Sequence, residues 1–189
     1  MTKQVLQLLS FIFLLTVTAG FNSTSSVATT NKQRISTGKL TDADVRFVRA
    51  FLQPFSKTKL NDTLLIKYDF NKDACWNILD DSKDEYIKNI VLASKERIQT
   101  ALLTRPGISI FRFREPGDQL NKIIKWDDSI LIDSTKQLNK MLFKKRTECG
   151  SSMVILPDGR FILLQTDPHI EALTLSQQQI TVILNNNKN

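Results

Sequence analysis

The chain has 189 residues, a formal net charge of +7 and a hydrophobic fraction of 41%. With one histidine and two cysteines, it lacks the His and Cys clusters typical of metal centres, and we predict neither a metal site nor a cofactor. The basic balance can attract nucleic acid or anionic lipid. No basic stripe carries base-stacking aromatics, so we expect ordinary solvated charge and no nucleic-acid partner.

The N-terminus has the pattern of a signal peptide over residues 1–19. Lys3 supplies the positive charge, residues 5–17 are apolar and uncharged, and small residues allow cleavage after Ala19. The alternative is a permanent membrane anchor, but the apolar stretch is shorter than the roughly 20 residues that a spanning helix needs. We therefore expect an exported protein, periplasmic or secreted, without a stable membrane anchor after cleavage.

Residues 20–39 are polar and lack periodicity, which predicts a flexible leader. Residues 40–189 fit a single domain with one real core. Export would place Cys75 and Cys149 in an oxidising compartment, where disulfides persist. Only one intramolecular pairing is possible, although two buried free thiols or an intermolecular bridge stay open at this point.

Strands and helices alternate along the rest of the chain. Ser82 and Glu85 form a possible capping box at the start of the longest helix. The Pro-Asp-Gly sequence at 157–159 joins two apolar runs and predicts a hairpin. Cys75 and Trp76 fall in a loop or a first helical turn. The predicted helices are 40–55, 82–104, 118–126, 134–145, 167–173 and 175–184, and the predicted strands are 62–70, 108–113, 129–133, 151–156 and 160–166.

This order predicts an α/β fold, because strand–helix alternation favours parallel pairing and the late hairpin adds antiparallel pairing. The chain resembles the thioredoxin-like superfamily, and more closely its peroxiredoxin and exported thiol-disulfide reductase branch. Residues 64–70 resemble the first core strand, 129–143 that branch's strand, aspartate and helix, and 150–162 the hairpin. The resemblance implies a mixed central sheet flanked by helices, with a C-terminal β-hairpin, in a single domain at 40–189.

Two family features are absent from this sequence. The Cys-x-x-Cys motif is incomplete, because Ile78 stands where the second cysteine would follow Cys75. The family also has a cis-proline before the hairpin strand, where this chain has Gly150 or Ser151. In such a fold the loop before the hairpin lies against the start of the long helix, so the resemblance implies that Cys149 lies near Cys75 and that one bridge replaces the redox pair.

The preferred interpretation is a non-catalytic binding or structural role, with a Cys75–Cys149 disulfide as a staple and an unknown protein partner or small ligand. The alternative is a thiol-disulfide oxidoreductase or a redox-responsive protein that uses the same two cysteines. A helix N-terminus would lower the pKa of the Cys75 thiol and so activate it. The sequence therefore predicts no catalytic residue under the first interpretation and two under the second.

Three residues beside the predicted bridge are candidate surface contacts for a partner: Trp76, Gly150 and Ser151. Core packing is the other interpretation of Trp76. A hydrolase is a weak third hypothesis, because His169 is the single histidine and no Gly-x-Ser-x-Gly elbow is present. We expect His169 to be a surface or capping residue.

Overall fold

A computed structural model describes residues 34–118 and 121–186. The predicted signal peptide and most of the predicted leader lie outside these residues. No helix in the described ranges combines the length and apolarity that crossing a membrane requires.

The described chain alternates strands and helices, as the sequence predicts. The helices are α1 (Asp42–Leu52), α2 (Ala74–Asp80), α3 (Asp84–Thr104), α4 (Asn121–Ile124), α5 (Gln137–Met141) and α6 (Gln177–Asn186), with 3-10 turns at Gln53–Phe55 and Glu171–Leu173. The strands are β1 (Ile35–Lys39), β2 (Thr63–Asp69), β3 (Ile108–Arg114), β4 (Ile130–Ile132), β5 (Ser151–Ile155) and β6 (Arg160–Gln165).

Within the described residues one sheet has the strand order β1-β6-β5-β2-β3-β4. The strands β2, β3 and β4 are parallel, whereas β5 is antiparallel to β2, and β6 is antiparallel to both β5 and β1. Gly159 closes the β5–β6 hairpin with φ +81°, a value that the Pro-Asp-Gly turn requires and glycine supplies without strain. The architecture is a mixed central sheet with flanking helices and a C-terminal β-hairpin, as the predicted α/β fold class requires.

Alternation along β2 divides the core between the two faces of the sheet. Leu64, Ile66 and Tyr68 point to the face that α1 and α5 cover, and Leu65 points to the face that α3 and α6 cover. All four side chains are essentially inaccessible to solvent. The strand is thus apolar on both faces, as expected of a central strand, and Lys67 is the exception that leads to the site.

The segment Ile35–Lys39 is a strand, which corrects the expectation that residues 20–39 form a flexible leader throughout. It pairs with β6, and Arg34 donates from Nη2 to the carbonyl of Thr166 at 2.6 Å. Apolar and polar residues do not alternate along this segment, and the strand forms through backbone pairing with β6. The free edge of β6 supplies the hydrogen-bond partners.

Two predicted helix starts differ in their caps. Thr41 and Asp44 form the capping box that begins α1. The predicted Ser82–Glu85 box does not form, because Lys83 is the N-cap of α3 and makes no side-chain cap. The Ser82 hydroxyl instead donates to the carbonyl of Ile78 at 2.9 Å, since α2 ends immediately before it.

Two other predicted helices are much shorter than expected. The helix predicted at 134–145 is only Gln137–Met141, and the one predicted at 167–173 is a single 3-10 turn. In each case an aspartate side chain binds the backbone amides that a longer helix would use. Asp133 accepts from the amide of Gln137, and Asp167 accepts from that of Glu171.

Candidate functional site

Cys75 and Cys149 form a disulfide at the rim of the sheet where β2 ends. Cys75 is in the first turn of α2, and Cys149 is in the loop before β5, at a sequence separation of 74 and with 5.0 Å between their Cα atoms. The sheet brings these segments together because β5 lies beside β2. This confirms the predicted bridge.

The two arms of the bridge are also held by backbone contacts. The Cys75 amide lies 3.1 Å from Oδ1 of Asp73, which caps α2, and 3.2 Å from the carbonyl oxygen of Glu148. The second contact links the start of α2 directly to the loop that carries Cys149. The thiols would therefore stay close even if the covalent bond opened.

Asp73 is the most unusual group at the bridge. Its side chain is 2% exposed, and its Oδ2 has no hydrogen-bond partner among the described residues. A carboxylate oxygen of Asp73 and the sulfurs of Cys75 and Cys149 all lie within 4.8 Å of one another. Burial raises the pKa of Asp73 to about 7, with a further increase from Asp69, while the Cys75 amide, Lys67 and the Gly150 amide act in the opposite direction.

Lys67 joins three segments beneath the bridge: β2, the loop that carries Cys149 and the segment after β6. Its ammonium group lies 3.2 Å from Oδ1 of Asp69, donates to the carbonyl of Cys149 at 3.2 Å, and also donates to the carbonyl of Asp167. Both Lys67 and Asp69 are nearly inaccessible. A buried lysine requires this many partners, because an unpaired ammonium group in the interior would be very costly.

The structure buries Gly150 and Ser151, two of the three candidate surface contacts. Ser151 is 2% exposed, and its hydroxyl lies 3.2 Å from that of Thr147. Gly150 has φ +72°, and a Cβ built there would lie 2.5 Å from Asp69 Oδ1 and 2.7 Å from Lys67 Nζ. Glycine is needed here for backbone conformation and close packing, so only Trp76 is carried forward as a candidate contact.

Trp76 is half-buried beside the disulfide. Its Nε1 donates to Oδ1 of Asp69 at 3.0 Å, and its ring packs against the small apolar cluster between α2, α3 and α4. Trp76 therefore contributes to core packing, and part of its side chain stays accessible to solvent at the rim of the sheet. Its role as a partner contact stays a prediction.

A second charged group lies at the same end of the sheet. Glu115, which directly follows β3, accepts from the amide of Asn71 at 3.1 Å and pairs with Lys136 at 3.1 Å and Arg146 at 2.5 Å. Burial favours a higher pKa for Glu115, but these hydrogen bonds and cations outweigh it and hold the pKa below its usual value. Both oxygens of the Glu115 carboxylate therefore have partners, and the carboxylate links the loops that carry Asn71, Lys136 and Arg146.

Asp73 and Lys67 are the site residues that sequence reasoning missed. Each has a sequence feature that could have identified it. Lys67 is the one charged residue inside an otherwise apolar run of β2, and Asp73 is at a capping position two residues before a cysteine. The acidic pair at 127–128 also contains a buried member, but its partner is Arg112, far from the bridge along the chain.

Comparison with known proteins adds little at the level of sequence. No protein-family model matches the chain, and no curated protein matches it. Among solved structures, a secreted disulfide oxidoreductase of Mycobacterium tuberculosis, homologous to E. coli DsbE, aligns with 66% of this chain and 81% of its own at 7% identity and a TM-score of 0.35. The functional interpretation of this chain therefore depends on the geometry of its own site.

Proposed function

We propose that this protein is an exported thiol-disulfide exchange protein that uses the Cys75–Cys149 bridge. The observation that carries the proposal is the buried carboxyl of Asp73, which lies within 4.8 Å of both sulfurs and has one oxygen without a partner in the described chain. Export is supported by the signal-peptide pattern of residues 1–19.

The cap on α2 accounts for Oδ1 of Asp73, but a purely structural bridge gives no reason for a buried Oδ2 without a partner in the described chain. Leaving a buried polar atom unsatisfied costs about 1–3 kcal/mol, and such costs persist mainly where a site needs the group. In the oxidised protein Oδ2 accepts no hydrogen bond from the described residues. A thiol released next to it would provide one, so the site is better matched to the opened bridge than to the closed one.

The exchange step uses the accessible arm of the bridge. A substrate thiolate attacks Sγ of Cys75, which is half-buried in the first turn of α2. A new sulfur–sulfur bond forms, and the Cys75–Cys149 bond breaks, with its electron pair passing to Cys149. The Cys149 sulfur takes up the proton that the substrate thiol lost to solvent, and the resulting thiol can donate a hydrogen bond to Asp73. Attack by a second substrate thiol on the mixed disulfide completes a two-electron reduction.

A structural staple is the second candidate, favoured by the contacts beneath the bridge. Lys67 fixes the carbonyl of Cys149, and the Cys75 amide binds Glu148. These bonds would hold both arms in place, so the disulfide could serve only to stabilise the folded chain. Closing a loop of 74 positions is expected to contribute about 4 kcal/mol.

A redox titration separates the two candidates. The protein is equilibrated in buffers of defined glutathione potential, and the free thiols are alkylated and counted by mass spectrometry. Exchange predicts a midpoint above about −270 mV, within the range of known exchangers, whereas a staple predicts a midpoint below about −300 mV. The variant with both Cys75 and Cys149 replaced by serine is the control for alkylation outside the pair.

A further inference from the structure

We infer that the reduced protein binds one borderline or soft divalent cation, of which Zn²⁺ is the type, through Cys75, Cys149 and Asp73. The inference rests on the proposed function, because the thiols must first be released. Among the described residues, these three side chains are the one group of three or more potential ligands whose donor atoms lie close enough together to hold a metal ion. No short ligand motif marks them in the sequence, since Cys149 lies far along the chain from the other two.

The donor set suits zinc and excludes harder cations. Two thiolates and one carboxylate match the ligands that Zn²⁺ takes, at about 2.3 Å for sulfur and about 2.0–2.2 Å for oxygen. Magnesium and calcium prefer oxygen ligands and would leave the thiolates unused. Three protein ligands leave a fourth position for water or a substrate group.

The present geometry lies near the one that zinc requires. A tetrahedral site with these bond lengths separates the two sulfurs by about 3.8 Å and a sulfur from an oxygen by about 3.5 Å. The ligand atoms already lie within 4.8 Å of one another, and the Cα atoms of the two cysteines are 5.0 Å apart. After reduction, rotation of the two cysteine side chains would move the sulfurs apart towards this spacing.

A second, independent observation points to a ligand. Oδ2 of Asp73 belongs to a side chain that is 98% buried, and it has no partner in the described structure, while Oδ1 is held by the Cys75 amide. One oxygen is thus fixed by the helix start and the other is available. Two thiolates and a carboxylate around Zn²⁺ carry a net charge of −1. Lys67, whose ammonium group binds the Cys149 carbonyl, lies close enough to offset it.

The chemical balance is simple. A dithiol reductant supplies two electrons and two protons to the bridge and leaves as a disulfide, and both cysteines become thiols. Zn²⁺ then replaces the two thiol protons, which pass to solvent. Oxidation of the zinc-bound pair would reverse both steps and release the metal, so binding of zinc and formation of the bridge exclude each other.

The test uses the full mature chain, reduced with a phosphine, desalted without oxygen, and titrated with Zn²⁺ against a competing chelator. We expect one equivalent to bind to the reduced wild type and none to the oxidised protein. Asp73→Asn keeps an oxygen that can cap α2 and should weaken binding by at least about tenfold, and Cys149→Ser by more than about a hundredfold. Asp81→Asn, an exposed aspartate at the end of the same helix, is the matched control and should bind as wild type does.

Cobalt substitution provides a readout that does not depend on a variant. Co²⁺ in the reduced wild type should show thiolate charge-transfer absorption and the intense visible bands of tetrahedral coordination. Octahedral cobalt spectra, no stoichiometric binding, or equal affinities for wild type and Asp73→Asn would each overturn the inference. If the thiols resist reduction in glutathione buffers yet bind zinc after phosphine treatment, the exchange function fails and the metal site survives. If they reduce readily and bind no zinc, the reverse holds.

Discussion

Asp73 and Asp127 are both buried carboxylates, but their surroundings are opposite. Asp127 accepts from Arg112 and from both the amide and the hydroxyl of Ser129, at 3.1 and 2.6 Å. Burial alone would raise the pKa of Asp127, but these partners outweigh it and lower the pKa. At Asp73, Oδ1 accepts from the Cys75 amide and Oδ2 has no partner in the described chain; burial raises its pKa although the Cys75 amide, Lys67 and the Gly150 amide act in the opposite direction.

The difference separates a structural carboxylate from a functional candidate. Burying a charge is compatible with stability only where hydrogen bonds and an opposite charge replace water. Asp127 meets that condition and holds β3 to the turn before β4. Asp73 meets it only in part, because burial outweighs its amide partners and Lys67, and what distinguishes its position is the pair of sulfurs beside it.

The largest expected effect comes from removing the partner of Asp127. Arg112→Met would leave the Asp127 carboxylate buried without its cation, and breaking a buried pair in this way costs about 4 kcal/mol of unfolding free energy. Urea denaturation at pH 7 measures it. Arg160→Met removes the cation of an exposed pair with Asp158 and should change stability by less than about 0.5 kcal/mol. Equal effects of the two variants would contradict the structural role of Asp127.

The second prediction concerns the pH dependence of stability in the oxidised, metal-free protein. Because the pKa of Asp73 is raised from its usual value of 3.8 to about 7 in the folded state, that state binds more protons between pH 4 and pH 7. The wild type therefore loses stability as the pH rises through this window. Relative to wild type, Asp73→Asn should gain about 3 kcal/mol between pH 4 and pH 8.

Asp127→Asn is the control for that experiment and should behave in the opposite way. A lowered pKa contributes stability above the unfolded value, which is lost as the pH falls. This variant should therefore be less stable than wild type at pH 8, with a smaller difference at low pH. Urea denaturation at several pH values measures both profiles, and profiles of the same sign would contradict the contrast between the two carboxylates.

A third prediction tests the close packing beneath the disulfide. Gly150→Ala would place a methyl group against Asp69 and Lys67 in a backbone conformation that alanine rarely adopts, at a cost of about 2 kcal/mol. Gly107→Ala is the matched control, because a Cβ there meets no atom within 4 Å, and it should cost less than about 0.5 kcal/mol. Thermal and urea unfolding measure the difference. A neutral Gly150→Ala would show that the loop can move away from Lys67.

The smallest expected effect is at Trp76. Trp76→Phe keeps the ring but removes the Nε1 hydrogen bond to Asp69, for a loss of about 1 kcal/mol. Trp126→Phe is the control, since Nε1 of Trp126 is buried without a hydrogen-bond partner in the described chain, and losing it should cost less. Urea denaturation compares the two variants, and a larger loss at Trp126 would contradict the hydrogen-bond assignment.

Much of the fold could be predicted from local patterns. Alternation identified β2, and the Pro-Asp-Gly turn identified the hairpin, because both signals depend on neighbours in sequence. The strand Ile35–Lys39 was missed because its stabilisation comes from the backbone of β6. The predicted Ser82 cap was wrong because the Ser82 hydroxyl donates to a carbonyl of the preceding helix.

By itself, the sequence determined the order of elements, the polarity of the hairpin and the presence of just two cysteines with one possible internal pairing. Resemblance to a known fold extended this to a contact between the two. Only the tertiary structure decided which polar groups share the interior at the bridge. Lys67, Asp73, Cys149 and Asp167 come from separate segments, and hydrophobic periodicity specifies which face of an element is buried but not which side chain from elsewhere it will meet there.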